Sequence, residues 1–134
     1  FPGAPTVYYG DEAAMEGWED PFNRAGYPWA QEDTDLKAHF AELARFRRSF
    51  PALQVGVLHW IWTSGPLLIF ARELDGQLLT TVVNAADVSQ ALSLPWSAPP
   101  ARDLLTGQRF IPTDNAISLT LPPRSGLLLQ TDLP

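Results

Sequence analysis

From Val57 onward the apolar residues alternate with a period of two, and a turn signal interrupts them about every eight to twelve residues. In the first run Leu58, Trp60 and Trp62 fall on one side and Val57, His59 and Ile61 on the other. Further runs cover residues 67–74, 78–84, 90–94, 103–106, 109–111, 116–121 and 127–131. Between them lie Ser64-Gly65-Pro66, Asp75-Gly76, Ala86-Asp87, Pro99-Pro100, Thr106-Gly107, Asp114-Asn115 and Pro122-Pro123. Short alternating strands of this kind bury their apolar sides by packing sheet on sheet, so residues 52–134 are expected to form an antiparallel β-sandwich of seven or eight strands. The same alternation assigns Trp60 and Trp62 to its core. The turns differ too much from one another for a repeat array.

Residues 1–51 follow another pattern. Thr6, Val7, Tyr8 and Tyr9 favour extended structure, and Pro2–Tyr9 is apolar on both sides, as in a buried strand of a parallel sheet or barrel. Gly10 ends it. Residues 11–32 show no sustained period and are broken by Gly17, Pro21, Gly26 and Pro28, which predicts a long ordered loop; such loops usually carry function. Asp33 or Thr34 caps a helix whose apolar face is Leu36, Phe40, Leu43, Phe46 and Phe50, with Arg45, Arg47 and Arg48 as solvent charges near its C-terminus and Pro51 as its stop. One strand, a loop and a helix cannot bury a core. The neighbours of Pro2–Tyr9 are therefore expected outside these 134 residues, and the chain, which starts at Phe1, reads as the tail of a larger protein.

Fifteen acids against nine bases give a net charge of -6, the wrong sign for nucleic acid or an anionic membrane surface. No apolar run approaches the roughly 20 residues that cross a bilayer. With no cysteine and two histidines, disulfides, thiolate zinc sites and thiol nucleophiles are excluded, and neither a metal nor another cofactor is expected. The charge is unevenly placed. Residues 1–35 hold eight acids against Arg24 alone, and seven of the fifteen aromatic residues. Interleaved carboxylates and rings suit a sugar, which offers hydroxyls to the first and C–H faces to the second; an acidic surface loop whose rings pack in a core is the alternative. Asp11-Glu12 and Glu19-Asp20 are the only carboxylate pairs that could serve glycosidase acid/base work. Adjacent acids on an acidic loop do not make that geometry, so no catalytic residue is assigned. His39 and His59 follow no nucleophile motif.

The string Pro2-Gly3-Ala4-Pro5-Thr6-Val7-Tyr8-Tyr9-Gly10-Asp11-Glu12, with Met15, Gly17, Asp20-Pro21, Asn23-Arg24 and Tyr27-Pro28-Trp29, resembles the last strand and following loop of the catalytic barrel in the alpha-amylase family of glycoside hydrolases. Asp-Pro-x-Asn-Arg and Tyr-Pro-Trp are similar to the neopullulanase, cyclomaltodextrinase and maltogenic amylase branch. Ala13-Ala14, where Ile-Gly is common, and Ala25-Gly26, where a second Arg or a Pro often follows, depart from it. Residues 36–53 resemble the eighth barrel helix, and the remainder resembles the C-terminal sandwich.

The resemblance implies a mainly β chain in two parts: residues 1–51, the end of a (β/α)8 barrel, and residues 52–134, a β-sandwich domain. It implies a parent that hydrolyses alpha-1,4 and alpha-1,6 glucosidic bonds with retention, acts on alpha-glucans or maltooligosaccharides, forms a homodimer in some members, and in this branch favours the cytoplasm. The family's three catalytic carboxylates lie on earlier barrel strands, so the piece is expected to be inactive alone. Asp20 and Arg24 match the Asp and Arg that bind glucose hydroxyls. A non-catalytic carbohydrate-binding or protein-assembly module of the same fold, with Trp60, Trp62 or Trp96 as a platform, is the other function this sequence allows.

Overall fold

A computed structural model describes residues 2–131, and the chain divides into two compact units, residues 1–54 and 55–134.

In the first unit Asp33 caps helix α1 (Thr34–Ser49), its carboxylate accepting from the N–H of Asp35 at 3.1 Å and of Leu36 at 2.9 Å. Phe50 N–H donates to Phe46 and closes the helix. Pro51 does not simply stop it. With no N–H to satisfy and φ already set, it opens a second short helix, α2 (Pro51–Val55), where the sequence pattern predicts the start of the sandwich. The apolar face of α1 lies as expected, but no residue of α1 is buried and Leu43 is exposed. Residues 2–9 form no strand, and Val7, Tyr8 and Tyr9 are exposed, contrary to the buried strand expected there. A strand exists through its ladder partners, and none of the described strands pairs with this segment. Arg47 holds it instead, donating to the Gly3 carbonyl at 2.7 Å and to the Leu53 carbonyl. That guanidinium is a staple rather than a charge left in water.

The second unit has two antiparallel sheets. Strands β1 (Val57–Ser64), β2 (Leu67–Leu74), β3 (Gln77–Asn84), β8 (Ser125–Thr131), β5 (Ala101–Asp103) and β6 (Arg109–Phe110) lie side by side in that order. Strands β4 (Gln90–Pro95) and β7 (Ala116–Leu121) make the other sheet. The chain folds this way because tight turns fix the register. Asp75 and Gly76 both take positive φ, the two-residue turn that matches strand twist, so Leu74 faces Gln77. Asp114 and Asn115 repeat the device between Thr113 and Ala116. Ile69, Val82, Leu94, Trp96, Ile117, Leu119, Leu121 and Leu129 interdigitate between the sheets. Each large aliphatic there contributes about 1.5–3 kcal/mol by leaving water.

Two expectations fail in this unit. Trp60 and Trp62 do not share a core face. The ladder skips Ile61, setting Trp60 opposite Phe70 and Trp62 opposite Ile69, neighbours that alternate across β2. A bulge on an edge strand thus leaves the two indoles 54% and 52% exposed. The run at 103–106 is a strand end and turn, closed by Asp103. That carboxylate is fully buried and accepts from Leu105 N–H, Thr106 N–H, the Thr106 hydroxyl at 2.6 Å, and Leu128 N–H at 2.9 Å. Asn84, equally buried, donates to the carbonyls of Val88 and Pro122 and accepts from Ala86 N–H.

Candidate functional site

The long loop is shaped from its two ends. Gly10, at φ 89°, accepts from the N–H groups of Ala13 and Met15, and a Cβ at Gly10 would meet the Met15 sulfur at 2.3 Å. The acids at this end serve the backbone: Asp11 accepts from Tyr8 N–H at 3.3 Å and Glu12 from Gly10 N–H at 3.1 Å. Ala13, buried, accepts from Asp33 N–H and so draws the far end of the loop back to its start. Asp11 and Glu12 are thereby committed as turn acceptors rather than as an acid/base pair.

Between these ends the chain makes a 3-10 turn at Phe22–Arg24, after a cis Asp20–Pro21 bond. Phe22 N–H donates to Glu19, and Arg24 N–H to Pro21. The turn brings Arg24 back over Asp20, with Nε 2.6 Å from Oδ1. The Tyr9 hydroxyl lies 3.3 and 3.2 Å from the Asn23 and Ala25 carbonyls and pins the turn from beneath. Both members of the ion pair remain mostly in solvent, 75% exposed for Arg24 and 59% for Asp20. Their unused guanidinium N–H groups and carboxylate lone pairs are open to a ligand.

The sequence pattern marked Asp20 and Arg24 and noted the rings interleaved with acids in residues 1–35, without fixing which of them stand beside the pair. Trp18 and Phe22, one helical turn apart in sequence and both largely exposed, border a shallow hollow with Glu19. An aromatic on each side of Asp-Pro was the signal available. Further along, the Tyr27 and Trp29 rings pack at 4.6 Å, and the Lys37 ammonium sits 5.9 Å from the Tyr27 centroid. Lys37 also pairs with Glu32 at 3.3 Å. A backbone hydrogen bond at Glu32 itself, then the Lys37 ammonium, hold the Glu32 carboxyl below its ordinary range, and Glu32 raises Lys37 in return.

The loop thus offers hydrogen-bonding charge beside exposed rings, which is chemistry for recognising a polyol, with no nucleophile and base in contact. His39 is exposed on α1; His59 lies in the sandwich, its Nε2 2.9 Å from Glu73. Among the described residues no group of three or more histidine, aspartate or glutamate side chains is placed to hold a metal ion, and no helix is long and apolar enough to cross a membrane.

Residues 64–127 match the family described as Maltogenic Amylase, C-terminal domain. An amylopullulanase of Thermoanaerobacter thermohydrosulfuricus is 28% identical over 98% of this chain, which spans 10% of that protein. A cyclomaltodextrinase of Geobacillus thermopakistaniensis is also 28% identical over 98% of this chain, which spans 24% of its length. The crystal structure of Ttha1563 from Thermus thermophilus superposes with a TM-score of 0.86 at 35% identity, over 97% of this chain and 28% of that one. The chain therefore covers between a tenth and a quarter of the curated relatives it matches here.

Proposed function

We propose, for a chain that belongs to the alpha-amylase family of glycoside hydrolases and carries its C-terminal domain, that the Asp20–Arg24 loop binds the hydroxyls of an alpha-glucan held by the parent enzyme. The parent cleaves alpha-1,4 and alpha-1,6 glucosidic bonds with retention. This reading draws on relatives called amylopullulanase and cyclomaltodextrinase. Residues 1–51 complete the parent's barrel and 52–134 form the sandwich domain that follows in the chain. In barrel enzymes the loops after the strands build the site, which is where a loop following Pro2–Tyr9 would stand.

The observation that carries the reading is the exposed 2.6 Å pair of Arg24 and Asp20 beside Trp18 and Phe22. An ion pair in solvent adds little to stability, so a loop shaped to present one is better accounted for by binding. Retaining hydrolysis needs two carboxyl groups about 5–5.5 Å apart across the scissile bond, one of them kept protonated. Asp11 and Glu12 serve as turn acceptors, Asp20 pairs with Arg24 and Glu32 with Lys37, which leaves neither adjacent pair of acids free as an acid/base couple, so this chain alone is expected not to hydrolyse glucans.

One assay tests this. The purified 134-residue chain is incubated with starch, pullulan and cyclodextrins, and release of reducing sugar is followed; none is expected. Turnover abolished by Asp20→Ala or Glu12→Ala would place chemistry in the loop and overturn the reading.

A further inference from the structure

Six strands in one sheet face two in the other, and the unequal widths leave a hollow of about 260 Å³ beside the small sheet. It opens between the inward side of β1–β3 and the end of β4 with the segment after it. Its floor is Ala71 and Thr80, cross-strand partners that are both buried. One wall is Trp96, 7% exposed and fixed by donating its indole N–H to the Pro99 carbonyl at 2.8 Å. Ile61, pushed out of the ladder by the β1 bulge, also lines it. At the rim His59 Nε2 stands 2.9 Å from Glu73, and each side chain keeps about half its surface in water.

We propose that this hollow is a second sugar site, separate from the Asp20–Arg24 loop, that takes one or two glucosyl units of an alpha-glucan chain. The assignment of alpha-glucan rests on the function proposed above; the assignment of a sugar rests on the hollow itself. A purely apolar ligand would take water from the rim pair and leave its hydrogen-bonding groups beyond the His59–Glu73 contact unsatisfied. An anion would meet the Glu73 charge. A pyranose satisfies both surfaces, with its C–H groups against Ile61, which is 44% exposed, and the small exposed part of Trp96, and with hydroxyls that accept from or donate to the rim pair. The volume is slightly below the roughly 300 Å³ at which drug-sized pockets begin, which limits the occupant to a short stretch of chain. A glucan strand tethered there raises the local concentration of polymer for the parent's catalytic site without taking part in chemistry.

Maltotriose, with cellotriose as the β-linked control, is titrated into the isotope-labelled 134-residue chain while backbone amide signals are followed. Maltotriose is expected to move the amides of residues 59–61, 71–73 and 96–98. The double variant His59→Ala, Glu73→Ala should weaken that response about tenfold or more while its thermal transition stays sharp. Arg24→Ala should leave the groove response unchanged. Maltotriose shifts confined to residues 18–29 would overturn the second site and leave the loop reading standing. Groove shifts with cellotriose and none with maltotriose would overturn the alpha-glucan assignment, as would silence toward both sugars for the site itself. A groove response that survives the double variant would overturn the recognition by the rim pair.

Discussion

Arg24 reaches back four residues to place Nε 2.6 Å from Oδ1 of Asp20, on a turn where both side chains stay largely in solvent. The contact is geometrically tight and energetically slight, since exposed ion pairs contribute about 0–1 kcal/mol. The backbone beneath, held by Tyr9 and the Phe22–Arg24 turn, fixes the pair's orientation. The consequence is that binding and stability separate at these two residues. Substitution there should leave folding almost intact, which makes any kinetic effect interpretable.

Asp103→Ala should destabilise the sandwich by at least about 3 kcal/mol, because the buried carboxylate accepts four hydrogen bonds and its loss orphans Thr106 and Leu128 N–H groups. Urea unfolding checks this. A change below about 1 kcal/mol would mean that water replaces the carboxylate.

Limited proteolysis should cut first between Asp11 and Asp35 and leave the sandwich strands intact. The loop carries exposed Trp18, Phe22 and Trp29, whereas the sandwich ladder from β1 to β6 is continuous. A resistant loop beside a degraded sandwich is the opposite outcome.

The Glu32–Lys37 pair predicts a pH window. A carboxyl lowered on folding stabilises above its ordinary titration range, and that contribution is lost as pH falls through its lowered value. The raised Lys37 stabilises below the ordinary lysine range and loses its part as pH rises through its raised value. The pair therefore holds the loop across neutral pH. Carboxyl titration followed by NMR should show Glu32 moving up toward its ordinary value in Lys37→Met; an unmoved titration would assign the shift to the backbone hydrogen bond alone.

The elements read correctly from sequence are those whose signals are local. Strands β2 and β7 lie where alternation put them, at 67–74 and 116–121, and the Asp33 cap and the Asp75-Gly76 turn are each decided within a few residues. The failures depend on distant groups. Residues 2–9 have strand propensity without a ladder partner among the described strands, and Ile61 slips out of register because β2 dictates it. Asp103 looked like the start of a strand because its partner Leu128 is 25 residues away. Asp20 and Arg24 were legible only through their resemblance to a family string; the mixing of rings and acids in residues 1–35 was legible from composition, but that Trp18 and Phe22 border one hollow, and that His59 meets Glu73, needed the folded chain.

The central claim is that the Asp20–Arg24 loop holds substrate, and steady-state kinetics of the full-length parent on maltooligosaccharides tests it most directly. Each hydrogen bond to a charged group contributes about 1.5–3 kcal/mol, so Arg24→Ala should lower kcat/KM by about ten- to a hundredfold while the thermal transition of the enzyme is unchanged. Kinetics equal to those of the unsubstituted enzyme, or a loss of activity matched by a loss of thermal stability, would contradict the account.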